Sequence, residues 1–518
     1  MENLKILDCT LRDGGYYTGW DFEDKLTEIY FESFNDLPVD YLEIGYRSNP
    51  MNTYLGKYFY CPRIVLERCK ELSNKKLAII LDEKNVRKEH VNDLLNPCVG
   101  LINMVRIAVD PQNFGRAIGL AEEVAKLGFE ICFNVMYMSK WESEKQFLAQ
   151  IGNVDGVIDY FYMVDSYGGV FPNDVKKAYD IVRNKLDVKI GFHGHNNLEL
   201  GLINTLTAID CGAVIVDATV TGMGRGAGNL STELLLTTLN SQNKIELNFN
   251  ALSMVVDPFS EMQKDFGWGT NLPYMVSGAH SLPQKEVMEW VTKRYYSLNS
   301  IARALSNQSK GLKDNTELSK LDFKGIGNSD TVLLIGGGPS AVNHNEALKT
   351  FLNLHPDIIV IHASSKNARS YDNIENDQYY CLVGNEGYRL EKVFNNHLEI
   401  QGKCILPPFP RKMGTYIPEA LSNCSYELQD EMFTEKFKDS HTAIALQTAC
   451  ELGAKTIYLA GYDGYTTEII QKNEQELFLE NEYLFEKIVK AKDIKLVSLT
   501  ATYYGIPEKE SVYSKIDI

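Results

Sequence analysis

Two short stretches, far apart in the chain, carry side chains of the kind that bind a divalent cation. The first reads DCTLRDGG and places Arg12 and Asp13 at the end of an apolar strand. The second reads GFHGHNN and contains His193 and His195, whose spacing on a strand points both imidazoles to the same face. Two imidazoles on one face, with a carboxylate nearby, are suitable ligands for a single metal ion.

Short β-branched runs alternate with amphipathic helical stretches over the first 250 residues or so. The predicted strands are 4–8, 41–45, 77–81, 102–109, 129–135, 158–164, 188–192 and 214–218. The predicted helices include 24–35, 116–127 and 173–184. Eight β/α units predict a closed parallel TIM barrel, whose active site lies on the loops after the carboxyl ends of the strands. We expect Gly14 and Gly15 to turn the chain sharply after the first strand.

Ionisable or amide side chains recur at the ends of the predicted strands, as an active site in a barrel requires. These residues are Arg12, Asp13, Glu43, Arg47, Asp82, Arg106, Asn134, Asp165, His193 and His195. Together they predict a ring of functional groups around one mouth of the barrel. Taken singly, Asp82 and Arg106 are interpreted as ordinary surface residues.

Composition limits the classes of function. The chain has 518 residues, of which 44% are hydrophobic and 23% charged, which predicts two globular domains. A net charge of −17 would repel nucleic acid and anionic lipid. The start lacks signal-peptide features and no apolar stretch is long enough to span a bilayer, so we expect a cytoplasmic protein. The ten cysteines form no CxxC pair and predict reduced thiols, with Cys9 buried on the outward face of its strand.

Four separated motifs together resemble the DRE-TIM metallolyases, a family that includes 4-hydroxy-2-oxovalerate aldolase, 3-hydroxy-3-methylglutaryl-CoA lyase and 2-isopropylmalate synthase. The motifs are DCTLRDGG at 8–15, YLEIG at 41–45, HGHNN at 193–197 and GAGN at 226–229. The resemblance covers roughly residues 1–300. It implies a metal-dependent lyase that acts through the enolate of a pyruvate-like 2-oxo acid, with an aldehyde as the second small-molecule partner. It also implies a homo-oligomer.

The resemblance further implies roles for individual residues. The implied metal ligands are Asp13, His193, His195 and Asn229. Arg12 would face the enolate oxygen, and Glu43 would hold this arrangement in place. Such a set suits Mn²⁺ or Mg²⁺, with Co²⁺ and Zn²⁺ also compatible. The substrate-binding residues predicted around it are Arg47, Asn134, Asp165 and Tyr274.

Two departures from the family pattern bear on the chemistry. Tyr16 stands where the hydroxyoxovalerate aldolases have a histidine base, and phenols ionise only near pH ~10. Tyr16, His280 or hydroxide on the metal ion must therefore take the proton. The glycine loop 222–228 also lacks the cysteine of the CoA-thioester lyases. This favours an aldolase and leaves a Claisen-type acyl transferase, like isopropylmalate synthase, as the alternative.

The remainder of the first 330 residues divides into an extension and a linker. After a barrel domain at 1–245, residues 246–305 predict a helical extension. Trp268, Tyr274 and His280 would form either a lid over the barrel mouth or packing against its rim. The polar stretch 306–329 is the predicted linker.

A second domain is predicted at 330–518. Its strands, at 331–335, 357–362, 379–383, 456–460 and 495–499, predict a doubly wound Rossmann-like α/β sheet. The turn GGGPS is suited to phosphate, but the next strand ends in HASS and lacks the acid of an NAD site.

With the later motif LGAKTIYLAGYD, this segment resembles bacterial sialyltransferases and pterin-diphosphokinase-like domains. The resemblance implies a nucleotide or nucleotide-sugar site at Gly336, Gly337, Gly338, Ser340 and Asp463. It suggests a part in surface polysaccharide or unusual sugar biosynthesis, with glycosyltransferase activity as one alternative and a purely structural domain as another.

Overall fold

The computed structural model describes residues 4–292, 296–312, 317–320, 330–395, 400–411, 416–429, 432–465, 472–492 and 494–516. The chain divides into two compact units, Met1–Glu289 and Trp290–Ile518. Within the predicted linker, residues 313–316 and 321–329 lie outside the described residues. The domain boundaries derived from the sequence stay predictions. No helix in the described ranges is long and apolar enough to cross a lipid bilayer.

The first unit contains a closed barrel of eight strands in sequence order, and this confirms the predicted barrel. All neighbouring strands are parallel, and β1 closes the barrel against β8. The strands are β1 Lys5–Asp8, β2 Tyr41–Tyr46, β3 Lys76–Asp82, β4 Met104–Val109, β5 Glu130–Val135, β6 Tyr160–Asp165, β7 Lys189–Gly194 and β8 Ile215–Ala218.

Helices follow the strands, and further helices come after β8. The helices are α1 Thr10–Thr18, α2 Asp24–Asn35, α3 Lys57–Tyr60, α4 Arg63–Leu72, α5 Val91–Leu95, α6 Phe114–Ala125, α7 Lys145–Gln150, α8 Pro172–Arg183, α9 Gly201–Cys211, α10 Thr232–Ser241, α11 Phe249–Phe266, α12 Leu272–Ala279 and α13 Gln284–Thr292. Apolar strand residues pack with helix residues in one large core.

A second, smaller core fills the inside of the barrel. It includes Leu7, Cys9, Tyr41 and Met104, all fully buried. Cys9 therefore lies inside the barrel, and the prediction that it faces outward was wrong. The alternation of a strand does not reach it, because β1 ends at Asp8 and the chain enters helix α1 two residues later.

Helix α1 is an element of the first unit that the sequence did not predict. Gly14 and Gly15 lie inside this helix, so the expectation of a sharp turn at these glycines was wrong. Both are needed for close packing instead. A Cβ at Gly15 would lie 2.1 Å from the indole of Trp20, and one at Gly14 would lie 2.5 Å from the sulfur of Met223. The turn comes later, at Gly19, which has a left-handed backbone (φ 65°).

The second unit contains an eight-stranded sheet in which every pairing is parallel. The strand order is β13-β12-β11-β10-β9-β14-β15-β16. The strands are β9 Thr331–Ile335, β10 Ile359–His362, β11 Gln378–Cys381, β12 Lys403–Leu406, β13 Ser425–Glu427, β14 Thr456–Ala460, β15 Lys495–Ser498 and β16 Glu508–Lys509. The helices are α14 Leu298–Ser309, α15 Ser340–Asn343, α16 Asn345–Leu354, α17 Glu386–Val393, α18 His441–Glu451 and α19 Lys472–Lys492.

The five strands predicted from the sequence are among these eight. The missed strands, β12, β13 and β16, are four, three and two residues long, too short to carry a pattern. The chain runs outward from β9 in one direction and returns to its other side at β14. The assignment to a Rossmann-like, nucleotide-binding class stays a prediction.

Gly15→Ala tests whether the packing of α1 depends on its glycines. Alanine favours a helix, but its methyl group would displace the indole of Trp20, so we expect the first unit to lose about 1–3 kcal/mol of stability. Urea denaturation measures this loss. Gly119→Ala in α6 is the matched control, because a Cβ there has no atom within 4 Å. Equal stability of the two variants would contradict the packing argument.

Candidate active site

A cavity of about 170 Å³ opens at the end of the barrel where the strands finish. Polar, aromatic and some apolar side chains from the strand ends and from the loops that follow line it. The lining residues are Arg12, Asp13, Tyr16, Tyr46, Ile80, Asp82, Lys84, Ala108, Asn134, Met136, Tyr137, Val164, Ser166, His193, His195 and Arg225. Of the predicted site residues, the structure thus brings Arg12, Asp13, Tyr16, Asn134 and both histidines together at one cavity.

Asp13 and His193 are placed to bind the same cation, and His195 lies next to them. Asp13 Oδ2 lies 3.7 Å from His193 Nε2. Two atoms that bind the same cation at about 2.1 Å can be at most about 4.2 Å apart, so this pair fits. The imidazole rings of His193 and His195 lie 4.9 Å apart, centre to centre.

The hydrogen bonds of the imidazoles leave the cation-binding nitrogens free. His195 Nδ1 lies 2.8 Å from the main-chain oxygen of Asp165, which can only accept, so Nδ1 carries the proton. His193 Nδ1 likewise donates to the carboxylate of Asp217 at 2.8 Å. Burial and the repulsion of His193 lower the pKa of His195 to about 3. Its Nε2 therefore offers a lone pair to a metal ion.

Asn229 completes the set of metal ligands implied by the sequence. Its amide nitrogen donates to Asp13 Oδ2 at 2.8 Å and to the main-chain oxygen of Met223 at 3.3 Å. Its Oδ1 is buried and has no hydrogen-bond partner among the described residues. A buried acceptor without a partner costs about 1–3 kcal/mol, which a bound cation would remove. The residues present therefore fit a divalent metal ion.

Cys9 lies under this site. Its sulfur, Asp13 and His193 offer ligand atoms that lie within 4.8 Å of one another. Burial raises the pKa of the Cys9 thiol well above its usual value, so the thiol stays protonated. It contacts the main-chain oxygen of Ala218 at 3.6 Å. Since a metal ligand must be the thiolate, Asp13 and the imidazoles are the better donors.

Arg106, interpreted from the sequence as a surface residue, is fully buried at the centre of the barrel, and that interpretation was wrong. Its guanidinium group donates to Glu43 Oε2 at 3.0 Å, Asp217 Oδ2 at 2.5 Å and Asn134 Oδ1 at 3.0 Å. It also lies over the ring of Tyr162, 4.4 Å from its centre. One cation thus fixes side chains from three other strands.

The two carboxylates bonded to Arg106, those of Glu43 and Asp217, also hold residues that line the cavity. Glu43 Oε2 also accepts from Arg12 Nε at 2.8 Å, and Arg12 is bonded in turn to Asp13. Asp217 orients His193. Asp217 was not predicted from the sequence, although an acid within the apolar strand β8 indicates a buried partner.

The charges in this network keep its carboxylates ionised. Burial alone would raise the pKa of Asp13 and of Asp217. The positive charges of Arg12 and Arg106, respectively, outweigh burial, so both pKa values lie below the ordinary value. Burial likewise opposes the charge of Arg106, but the attraction of Asp217 and Glu43 holds its pKa well above the usual range.

Six predicted site residues of the first unit do not line the cavity: Glu43 and Asn229, whose contacts are given above, and Arg47, Asp165, Tyr274 and His280. Arg47 donates to the main-chain oxygens of Leu94, Tyr60 and Cys61, which ties two loops together. The Asp165 carboxylate accepts from the backbone of Gly169 and Val170. Tyr274 is buried, and His280 is exposed at the end of α12.

The helices after the barrel pack against its loops. Asn197, just after the histidines, donates to the main-chain oxygen of Tyr274 at 3.0 Å and to Gln284 at 3.1 Å. Trp268 donates to the main-chain oxygen of Thr221 at 3.1 Å, at the start of the glycine loop. Of the two interpretations of this extension, these contacts favour packing against the rim.

In the second unit, the residues named from the glycine turn lie together at the carboxyl ends of β9 and β14. Ser340 donates to the Asp463 carboxylate through its amide at 3.2 Å and its hydroxyl at 3.0 Å. A Cβ at Gly338 would lie 1.9 Å from Asp463 Oδ2, so only glycine admits this carboxylate. Lys366 Nζ lies 3.2 Å from the main-chain oxygen of Gly337.

Comparisons with known proteins match the first unit. The profile of the family described as HMGL-like matches residues 102–257. Oxaloacetate decarboxylase of Mycobacterium tuberculosis is 28% identical over 248 residues, which are 46% of this chain and 71% of that protein. 4-Hydroxy-2-oxovalerate aldolase of Bacillus thuringiensis is 27% identical over 249 residues, 46% of this chain and 70% of that protein.

A solved structure is more similar in sequence. It is the N-terminal domain of a provisionally named aldolase from Bacteroides vulgatus. The two sequences are 54% identical, and the match covers 58% of this chain and 100% of that domain with a TM-score of 0.56.

Asp217→Asn tests the support of His193. The uncharged amide accepts the hydrogen bond of His193 more weakly than the carboxylate and no longer balances the charge of Arg106. We therefore expect the Mn²⁺ affinity to fall about 10–100-fold. Titration of the purified protein with Mn²⁺, followed by electron paramagnetic resonance, measures this change. Asp187→Asn, at a largely exposed side chain, is the matched control. An unchanged affinity in Asp217→Asn would show that the Asp217 contact does not support the ligand.

Proposed function

The chain belongs to the HMGL-like family and is a metal-dependent lyase, and on that premise we propose that its barrel is an aldolase. The reaction is cleavage, or formation, of a carbon–carbon bond next to a pyruvate-like 2-oxo acid, through its enolate. The observation that carries the proposal is the set of Asp13, His193 and His195 beside Arg12 in one cavity.

Each of these side chains has a separate role in the proposed reaction. A divalent cation held by Asp13, His193, His195 and Asn229 would supply a Lewis acid for the substrate's carbonyl group. Arg12 is fixed by Glu43 and Asp13, so its guanidinium group can hold the negative charge that develops on the enolate oxygen without first reorganising. A set of one carboxylate, one amide oxygen and two imidazoles suits Mn²⁺ or Mg²⁺, with Co²⁺ and Zn²⁺ as alternatives.

Tyr16 is the better of the two residues considered for proton transfer. It lines the cavity, and its hydroxyl lies 3.3 Å from that of Tyr46. His280 is exposed and does not line the cavity. We assign to Tyr16 the exchange of the proton of the substrate's 4-hydroxyl group as the bond to the aldehyde carbon breaks or forms. Asn134, bonded to Arg106, is assigned to substrate binding at the cavity wall.

Proton NMR of pyruvate in deuterated buffer tests the enolate chemistry. With Mn²⁺ or Mg²⁺ present, we expect the protein to accelerate loss of the methyl signal. Asp13→Asn and His193→Ala should abolish this exchange, and Arg12→Lys should slow it about 100–1,000-fold. Arg63→Lys, at an exposed arginine, is the control.

Metal-bound protein that leaves the methyl signal unchanged would count against pyruvate aldolase chemistry. Exchange of acetyl-CoA in place of pyruvate would instead favour the Claisen-type transfer, since that reaction forms its enolate on the thioester.

For the second unit we propose a nucleotide or nucleotide-sugar site at Gly336–Ser340 and Asp463. The support is its place in the sheet: β9 and β14 are neighbours although they are distant in sequence, and ligands of open α/β sheets bind at such a reversal of strand order. Asp463 offers a carboxylate for sugar hydroxyls, and Lys366 offers a positive charge for a phosphate. Sugar nucleotides at this site would fit a part in surface polysaccharide or unusual sugar biosynthesis.

Calorimetric titration of the full chain with CMP, UDP and UDP-glucose tests this site. We expect one of them to bind, and Lys366→Gln and Asp463→Asn each to weaken that binding about tenfold or more. Lys455→Gln, at an exposed ion pair of the same unit, is the matched control. Equal binding by Lys366→Gln and Lys455→Gln would remove Lys366 from the site, and the absence of binding by all three probes would contradict the proposal.

A further inference from the structure

Arg225 lines the cavity but has no role in the arrangement described so far. It lies in the glycine loop after β8 and is half-buried. No ion pair or side-chain hydrogen bond engages its guanidinium group among the described residues. The other two cationic residues that line the cavity are engaged: Arg12 with Asp13 and Glu43, and Lys84 with Asp110 at 3.2 Å.

The loop around Arg225 is held rigidly. The main-chain oxygen of Arg225 accepts from Gly228 at 3.2 Å, and that of Gly226 accepts from the Tyr17 hydroxyl at 3.1 Å. Side chains are excluded on both sides, because a Cβ at Gly224 would lie 2.4 Å from Asn229 and one at Gly228 would lie 2.1 Å from a main-chain oxygen. The backbone of Arg225 is thus fixed, and the loop directs its side chain to the cavity.

The guanidinium group lies beside the residue assigned to proton transfer. It is 5.4 Å from the centre of the Tyr16 ring. Its charge also acts on His195 and Tyr137, which line the same cavity. Arg225 has no acidic partner among the described residues and shares a wall of the cavity with Tyr16, His195 and Tyr137. Its guanidinium group can therefore bind an anion. Arginine suits carboxylate and phosphate groups because its planar fork can donate two parallel hydrogen bonds.

We propose that Arg225 binds a second anionic group of the substrate, carried by the aldehyde half. The inference rests on the proposed aldolase function and names its substrate class: 4-hydroxy-2-oxo acids with a carboxylate or phosphate beyond the carbon that bears the hydroxyl. We place the 2-oxo acid end of the substrate at Arg12 and the metal ligands, and its 4-hydroxyl group at Tyr16. The carbon atoms beyond the hydroxyl group then extend to Arg225.

The anionic group takes no part in the bond change. In the cleavage direction Tyr16 acts as its phenolate and receives the hydroxyl proton, the C3–C4 electron pair passes to the enolate of the 2-oxo acid, and the aldehyde forms at C4. The enolate then takes a proton at C3 from the neutral Tyr16 hydroxyl, which returns Tyr16 to the phenolate. A protein of net charge −17 repels an anionic substrate at long range, so a local cation is what makes its binding favourable.

Aldol addition of pyruvate to matched aldehydes tests the proposal. Glyceraldehyde 3-phosphate is compared with glyceraldehyde, and succinic semialdehyde with butanal, so that phosphate and carboxylate are tested separately. We expect kcat/KM to be about tenfold or more higher for at least one anionic aldehyde than for its neutral counterpart. In Arg225→Gln this ratio should fall about tenfold, mainly through KM, and Arg225→Lys should keep part of it.

The ratio is taken within one enzyme preparation, so a general loss of activity cancels. Arg183→Gln, at a half-exposed arginine of α8, is the control and should keep the ratio of the unmodified protein. If pyruvate exchange occurs but the neutral aldehydes are preferred, or Arg225→Gln keeps the ratio, the role of Arg225 is overturned while the aldolase stands. If pyruvate exchange is absent, the aldolase function fails, and this substrate class fails with it.

Discussion

The arrangement of the active site depends on one buried cation, Arg106. Its guanidinium group lies inside the barrel, where it bonds to Glu43 and Asp217. Removing one partner of such a buried pair typically costs about 3–5 kcal/mol, because the other charge is left uncompensated. These partners are also the groups that orient Arg12 and His193. The contacts of Arg106 therefore determine both the stability of the barrel interior and the geometry of the residues that would bind the metal ion.

The balance of charge in this network favours a bound cation. Two guanidinium groups, Arg12 and Arg106, face three carboxylates, Asp13, Glu43 and Asp217, which leaves a net charge of −1 in a buried place. Excess negative charge away from water is unfavourable unless a cation shares the site. The remaining acceptors support this conclusion, since Asn229 Oδ1 and Glu43 Oε1 have no hydrogen-bond partner among the described residues.

Sequence patterns predicted the eight strands of the barrel from local periodicity, and the rule for strand ends indicated the end of the barrel at which the cavity lies. They did not distinguish residues that lie at the same kind of position but point differently. Arg47 and Arg106 were both included in the predicted ring as residues near strand ends, yet Arg47 binds main-chain oxygens of loops and Arg106 binds carboxylates inside the barrel. That difference depends on partners from distant strands, which no local pattern contains.

Glycines illustrate the same limit in both units. The pair at 14–15 predicted a sharp turn of the chain, and the turn at 336–338 predicted a phosphate-binding loop. In the structure, Gly15 makes room for the ring of Trp20, and Gly338 makes room for the carboxylate of Asp463. A glycine required by a neighbouring side chain and one required by a ligand look identical in sequence. With Asp463 already bonded to the amide of Ser340, a nucleotide would meet a carboxylate at this turn, and the sugar hydroxyls are the part of the ligand that such a group can bind.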